Sequence, residues 1–325
     1  SRIFPMTSRT TVMLLALVGH GAALHIGLGA STMPMRSAPL IRATRGAPWM
    51  QTAPAPDMTR TEVALMLRAN RARVDSLATI DPDIPELTRL RFTLGFPNQA
   101  EARDALRDTV AWRKGVGRSI VDSAAEAVAK ATAGGGWSNE AVRAAAPHAA
   151  IINPYITPQN ILTLSTDEGD LVYVIRASLI DDKALMSKVS VQQLVDFLLY
   201  VKEVHSLVVN ARSKETGRLC NVIFANDISG TRKPPDPKFS QALTASSKQY
   251  EKLYPSLAGP TMILNLPFVL QAFIGLFKPL FPKSVQARLK FESAPFLAKL
   301  KDLTPLTTDA TSRKSFLAEM QRLLR

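Results

Sequence analysis

The sequence predicts an α/β architecture: a helical N-terminal bundle followed by a mostly parallel sheet flanked by helices. Three observations lead there. From residue 61 to about 147, apolar residues recur at helical spacing between helix breakers. From about 151 onward, short continuous apolar runs alternate with longer amphipathic ones, and crossovers of that length suit four or five mainly parallel strands. Finally, 46% hydrophobic and 21% charged residues over 325 positions are ordinary for a globular chain with a sizeable core, which excludes disorder over most of the length.

The elements follow in order. Residues 1–56 hold five arginines, no lysine and no acidic residue, so the remainder keeps 35 basic against 27 acidic residues and a charge of +8. Arg9 precedes the apolar run 12–18 and small residues at Gly21, Ala22 and Ala23. That is the order of a secretory signal peptide, and the run is too short to span a bilayer, which takes about 20 apolar residues. Residues 30–56 are rich in Ser, Thr, Ala, Met, Pro and Arg, as transit peptides are. The two halves together resemble the bipartite address of complex algal plastids, so the expected location is such a plastid (chloroplast). The bland alternative is a disordered basic tail.

Beyond the leader, Val63, Leu67, Val74 and Leu77 predict a helix over 61–77, and Asp81, Pro82, Asp83 and Pro85 break it. Asn98, with Glu101 three residues on, predicts a capping box opening a helix to Trp112. The Ala-rich run 120–131 is helical in propensity, Gly134 to Gly136 stop it, and Ser138 is expected to cap a short helix. Strands are expected over 170–177, 219–225 and 260–266, and helices over 190–209, 237–253 and 267–276.

Several chemistries are excluded. One cysteine, Cys220, permits no internal disulfide, and the histidines His20, His25, His148 and His205 with that cysteine cannot furnish a multi-Cys/His zinc site. The triple glycine lacks a following Lys-Ser/Thr, so it is a linker and no phosphate loop. A Gly-x-Ser-x-Gly elbow is lacking too. His205, on a helix far from any acid–nucleophile pattern, reads as a packed or surface histidine. Cys220 reads as a small buried hydrophobe. Scattered basic residues with 6% aromatics argue against a nucleic-acid surface. No enzyme, metal or cofactor is expected.

The informative stretch is 254–288. Between 257 and 281 it carries one charge, Lys278, yet Pro260, Pro267 and Pro279 interrupt it, which a lipid-exposed helix tolerates badly. After Pro267, Phe273, Ile274 and Phe277 fall on one side of a helix while Phe268, Val269 and Leu276 cover much of the rest. A helix apolar nearly all round is deeply buried, faces a bilayer, or closes over a lipophilic ligand.

Tyr254-Pro255, then a strand ending at Asn265, then Pro267-Phe268 and Phe277-Lys278-Pro279 together resemble the CRAL-TRIO lipid-binding family. Leu90-Arg91-Phe92 and Ala111-Trp112-Arg113-Lys114 resemble its helical N-terminal portion. Asp227-Ile228-Ser229-Gly230 resembles its Asp-Leu-x-Gly turn, and 169–173 the strand that opens its sheet. The resemblance covers roughly 61–291. It implies a hydrophobic pocket closed by a gate helix, lined by Phe268, Phe273, Ile274 and Phe277. Where the family has a glutamate after Tyr-Pro this chain has Ser256, and the cation matching the family's downstream lysine is Arg288. An anionic headgroup thus keeps a cation, Arg288, and Ser256 offers only a neutral hydrogen bond.

The physical case for a carrier stands beside the resemblance. Each lipid CH₂ costs ~0.8 kcal/mol to expose, so a chain of ~16 carbons costs on the order of 12 kcal/mol in water. A carrier must therefore supply an apolar cavity and a door, and a basic surface favours anionic membranes. The expected organisation is a leader at 1–56, helices at 57–149, the lipid-binding domain at 150–303 and a basic amphipathic helix at 304–325. The expected function is non-enzymatic binding and transfer of a lipid or lipophilic pigment between plastid membranes. The competing expectation is a structural or regulatory subunit docked on a photosynthetic (thylakoid) membrane complex.

Overall fold

The computed structural model describes residues 61–134, 137–166, 168–227, 235–264 and 289–292, with backbone alone at 263 and 289–292. The leader, the expected 267–276 helix and the C-terminal helix lie outside the described residues.

Residues 61–77 form two helices where one was expected: α1 (Glu62–Ala69) and α2 (Arg71–Leu77). The break falls at Asn70, whose side-chain amide donates to the Met66 carbonyl at 2.9 Å, the local competition with the helix ladder typical of Asn. α3 (Glu86–Gly95) follows the proline-rich break and buries Leu87, Leu90 and Phe92. α4 (Gln99–Lys114) begins at the expected cap. The Asn98 side-chain oxygen accepts the Glu101 N–H at 2.9 Å, and its side-chain amide, not the backbone N–H of the expected capping box, donates to the Glu101 carboxylate at 2.6 Å.

α5 (Arg118–Thr132) buries Ala124, Ala127 and Ala131, small side chains that let a neighbouring helix approach closely. Ser138 precedes α6 (Asn139–Ala144) but makes no side-chain capping bond, contrary to the expectation. A single turn, α7 (Ala149–Ile152), completes the N-terminal helices.

Among the described residues the sheet holds five strands in the order β1-β2-β3-β4-β5: β1 (Ile161–Ser165), β2 (Leu171–Arg176), β3 (Val222–Asp227), β4 (Ala258–Leu264) and β5 (Leu289–Glu292). β1 and β2 form an antiparallel hairpin, and every later pairing is parallel. The strand that opens the sheet is therefore Ile161–Ser165; the 169–173 stretch supplies the hairpin turn and the start of β2. β3 begins at Val222 instead of 219 because Cys220 has its backbone engaged elsewhere: its N–H donates to Ser213 Oγ at 3.0 Å and its carbonyl accepts from Arg91 at 2.7 Å. In β4 the register against β3 shifts between the Val222 and Phe224 pairs. Gly259 and Pro260 form the resulting bulge, a place where a residue without an N–H is tolerated inside a sheet.

Crossing from β2 to β3 are a short helix, α8 (Asp182–Met186), and the long α9 (Val191–Thr216). Ser190 and Gln193 form a complete capping box at the start of α9, and Gly217 closes it in the left-handed conformation at φ 69°. The helix outlasts the expected 190–209 by two turns. Those turns are polar, but Asn210 and Ser213 are spent on tertiary bonds. α10 (Pro237–Leu253) spans 237–253 as expected, with the Asp236 side chain accepting from the N–H groups of Lys238 and Phe239.

Arg91 locks the N-terminal helices to this frame. Its guanidinium donates to Asn210 Oδ1 at 2.8 Å, the Ser256 carbonyl at 2.6 Å and the Cys220 carbonyl at 2.7 Å, with Ser213 Oγ at 3.4 Å. Burial pushes it down to about 10, so it keeps its charge at neutral pH. Replacing it (Arg91→Met) strands buried carbonyls and is expected to cost about 3 kcal/mol in urea unfolding followed by circular dichroism. A loss below about 1 kcal/mol would refute the clamp.

Candidate functional site

Strand alternation gives the sheet two chemically different faces. Leu171, Tyr173 and Ile175 of β2 and Val222 and Phe224 of β3 pack into one core with α9 and α10. Their neighbours in sequence point the other way: Leu162 and Leu164 of β1, Val172 and Val174 of β2, Ala225 of β3 and Leu264 of β4. All six are buried, yet none belongs to that helix-packed core. β4 runs seven residues, so this second face is about 20 Å long in the strand direction.

At its far end the face carries one polar pair. Arg176 and Asp227 are cross-strand partners at the C-terminal ends of β2 and β3, with Nε 3.6 Å from Oδ2 and both side chains at least 95% buried. Arg176 also donates to the Gln159 carbonyl at 3.1 Å. Opposite charges therefore cancel at the edge of an otherwise hydrocarbon surface. Among the described residues, that surface offers bulk apolar contact and neither a nucleophile nor an acid–base pair. Its chemistry is that of a floor for a lipophilic molecule.

The helix-packed face is more polar than the sequence suggested. Glu203 of α9 accepts both terminal nitrogens of Arg113, each at 2.8 Å, and the Tyr254 hydroxyl at 2.7 Å. Burial, with the Glu203 carboxylate adding to it, holds that hydroxyl protonated well above its usual value, so it remains a donor. Next to it, Lys202 lies buried with its ammonium 4.5 Å from the Tyr250 ring centroid and 5.5 Å from that of Phe224. Burial pushes Lys202 down to about 8.

His205 is packed, as expected, with Nε2 2.9 Å from Thr163 Oγ1. Cys220 is fully buried and free. Among the described residues no cluster of three metal-binding side chains exists, and no helix is long and apolar enough to cross a membrane.

Of the ligand residues expected from sequence, Ser256 lies within the described part. It occupies the turn before β4 in a left-handed conformation, φ 53°, and presents its carbonyl to Arg91. The turn is pressed against the end of α3: a Cβ on Gly95 would sit 2.5 Å from Pro255 Cβ. Ser256 is thus at the entry end of β4, a strand's length from the Arg176–Asp227 pair. Phe268, Phe273, Ile274, Phe277 and Arg288 lie outside the described residues. Sequence reasoning passed over the floor residues of β1, although the apolar alternation in Ile161, Leu162 and Leu164 carried a signal.

Lys202 provides a test of this layer. Below pH 8 the native lysine is charged at an apolar site, a penalty of about 3 kcal/mol relative to the unfolded chain. That penalty fades as pH rises from about 8 toward the unfolded value of 10.5. Lys202→Met is therefore expected to unfold at higher urea concentration than the native chain at pH 7, with the advantage vanishing near pH 10.5. A variant less stable than the native chain at pH 7 would show that ring contacts outweigh desolvation.

No curated protein matches the chain. Among solved structures, the crystal structure of Sfh5 matches at 12% sequence identity with a TM-score of 0.47, over 81% of this chain and 95% of that one. The CRAL/TRIO domain matches residues 160–307, which start one residue before β1 and run past β5. Residues 160–307 are thus similar to the CRAL/TRIO domain, whose family binds lipophilic ligands, and the mostly parallel sheet with helices packed on it agrees with that α/β fold.

Proposed function

We propose that this protein binds a lipid or lipophilic pigment without covalent chemistry and carries it between membranes of a plastid. The observation that carries the reading is the second face of the sheet. Six buried aliphatic side chains form an apolar face of the sheet that lies outside the core packed on α9 and α10. The nearly all-apolar 267–280 segment follows β4 directly in sequence and is bounded by prolines, which suits a gate that lifts at a bilayer surface. Phe268, Phe273, Ile274 and Phe277 would line that gate, and Arg288 would neutralise an anionic headgroup. The internal Arg176–Asp227 pair leaves the floor without net charge, so the ligand's body is hydrocarbon. The basic surface assists encounter with anionic membranes.

Native mass spectrometry of the purified chain, followed by lipid extraction, tests the reading. One stoichiometric lipid or pigment is expected. A protein that remains empty after incubation with vesicles of plastid lipids would move docking on a thylakoid complex to the front. Substituting Phe273→Asp and Phe277→Asp together is expected to lower transfer between labelled donor and acceptor vesicles at least tenfold. Transfer unchanged in that variant would remove the gate from the mechanism.

A further inference from the structure

A cavity lies on the helix-packed side of the sheet. It occupies the space between α6, the segment after α7, the β1–β2 hairpin and α9, with a volume of about 80 Å³. Val142, Ile156, Val201 and Val204 make its walls hydrocarbon. Its back wall is built from Tyr173 and His205, 96% and 97% buried, whose rings meet edge to face at 4.9 Å. The His205 ring is already engaged, because Nε2 lies 2.9 Å from Thr163 Oγ1. Tyr200, also in the wall, spends its hydroxyl on the Val142 carbonyl at 2.8 Å. Tyr173 differs: burial alone raises its hydroxyl, with no charged or bonded neighbour contributing.

We propose that this cavity is a binding site for a small neutral molecule, a ring or short chain carrying one oxygen acceptor that takes the Tyr173 hydroxyl as its donor. The volume sets the size. A water needs on the order of 10–15 Å³ of such space, so the cavity holds roughly five to seven heavy atoms. The walls set the polarity, since an apolar body gains from displacing poorly bonded water. Neutrality follows from the back wall: His205, pushed down to about 3 by burial and by Lys202, stays uncharged at physiological pH and offers no counter-ion. Arg143, half-buried at the cavity's edge, is engaged with the carbonyls of Asn153 and Ile156. A long lipid chain does not fit, so this site is distinct from the proposed carrier floor, and neither depends on the other.

The test titrates the full chain, methyl-labelled at Val and Ile, with cyclohexanone and separately with benzene as the apolar comparator. Saturable shifts confined to Val142, Ile156, Val201 and Val204 are expected with both probes. Tyr173→Phe is expected to weaken cyclohexanone roughly fivefold to tenfold, the worth of one hydrogen bond, and to leave benzene unchanged. Filling the cavity with Val201→Phe, or with the smaller Ala146→Val where the first fails to fold, should weaken both. Shifts that never saturate, spread through the whole core, or survive the filled cavity would overturn the site. Equal weakening of both probes by Tyr173→Phe would overturn the hydroxyl's role.

Discussion

The Glu203 carboxylate, with only 2% of its side chain exposed, is tolerable because Arg113 and Tyr254 both reach it, and they come from distant parts of the chain. A buried acid without partners would cost several kcal/mol, so its presence fixes where those partners stand. Arg113 brings α4 to α9, and Tyr254 brings the entry of β4 to the same point. Arg91 repeats the device one layer away, with backbone carbonyls in place of a carboxylate. Between them, the two arginines determine how the helical region meets the sheet. The residues that resembled the family's N-terminal portion, Leu90 to Phe92 and Ala111 to Lys114, contain both.

This wiring packs one face of the sheet against helices and leaves the other free of charged anchors except at its rim. Ionic and aromatic groups concentrate on the α9 side, where Lys202, Glu203 and His205 follow one another within four residues. On the other side the strands present aliphatic carbon. The frame is thereby braced by polar and aromatic contacts on one side and lined by aliphatic carbon on the other.

Much of the architecture was legible in the sequence because local signals agreed with the fold. Asn98 marks a helix start with the chemistry that caps it, and the run leading into β3 reads as a strand buried on both faces. β1 went unread although Leu162 and Leu164 alternate with Thr163 and Ser165, because five residues are too short a pattern to stand alone without the pairing to β2. The full length of α9 was hidden because its last turns are polar and gain their place through Arg91. Lys202 and Glu203 look like a solvated helix face in sequence, since nothing local announces Arg113 or the rings of Phe224 and Tyr250. Ser256 gave no hint of its left-handed backbone, a conformation usually left to glycine. The five expected gate and headgroup residues lie beyond what the structure describes.

The bulge at Gly259 and Pro260 has an effect well beyond its own position. Two steps along β3, from Val222 to Phe224, correspond to three along β4, from Ala258 to Thr261. Because side chains alternate, that single extra residue turns over everything downstream. Thr261 faces the helices beside Phe224, while Met262 and Leu264 fall opposite, beside Ala225 and Asp227. An unbulged β4 would put a threonine hydroxyl into the hydrocarbon floor and carry both apolar side chains away from it. The oiliness of one side of the sheet is thus decided at the entry of a strand, by an amino acid unable to donate a backbone proton.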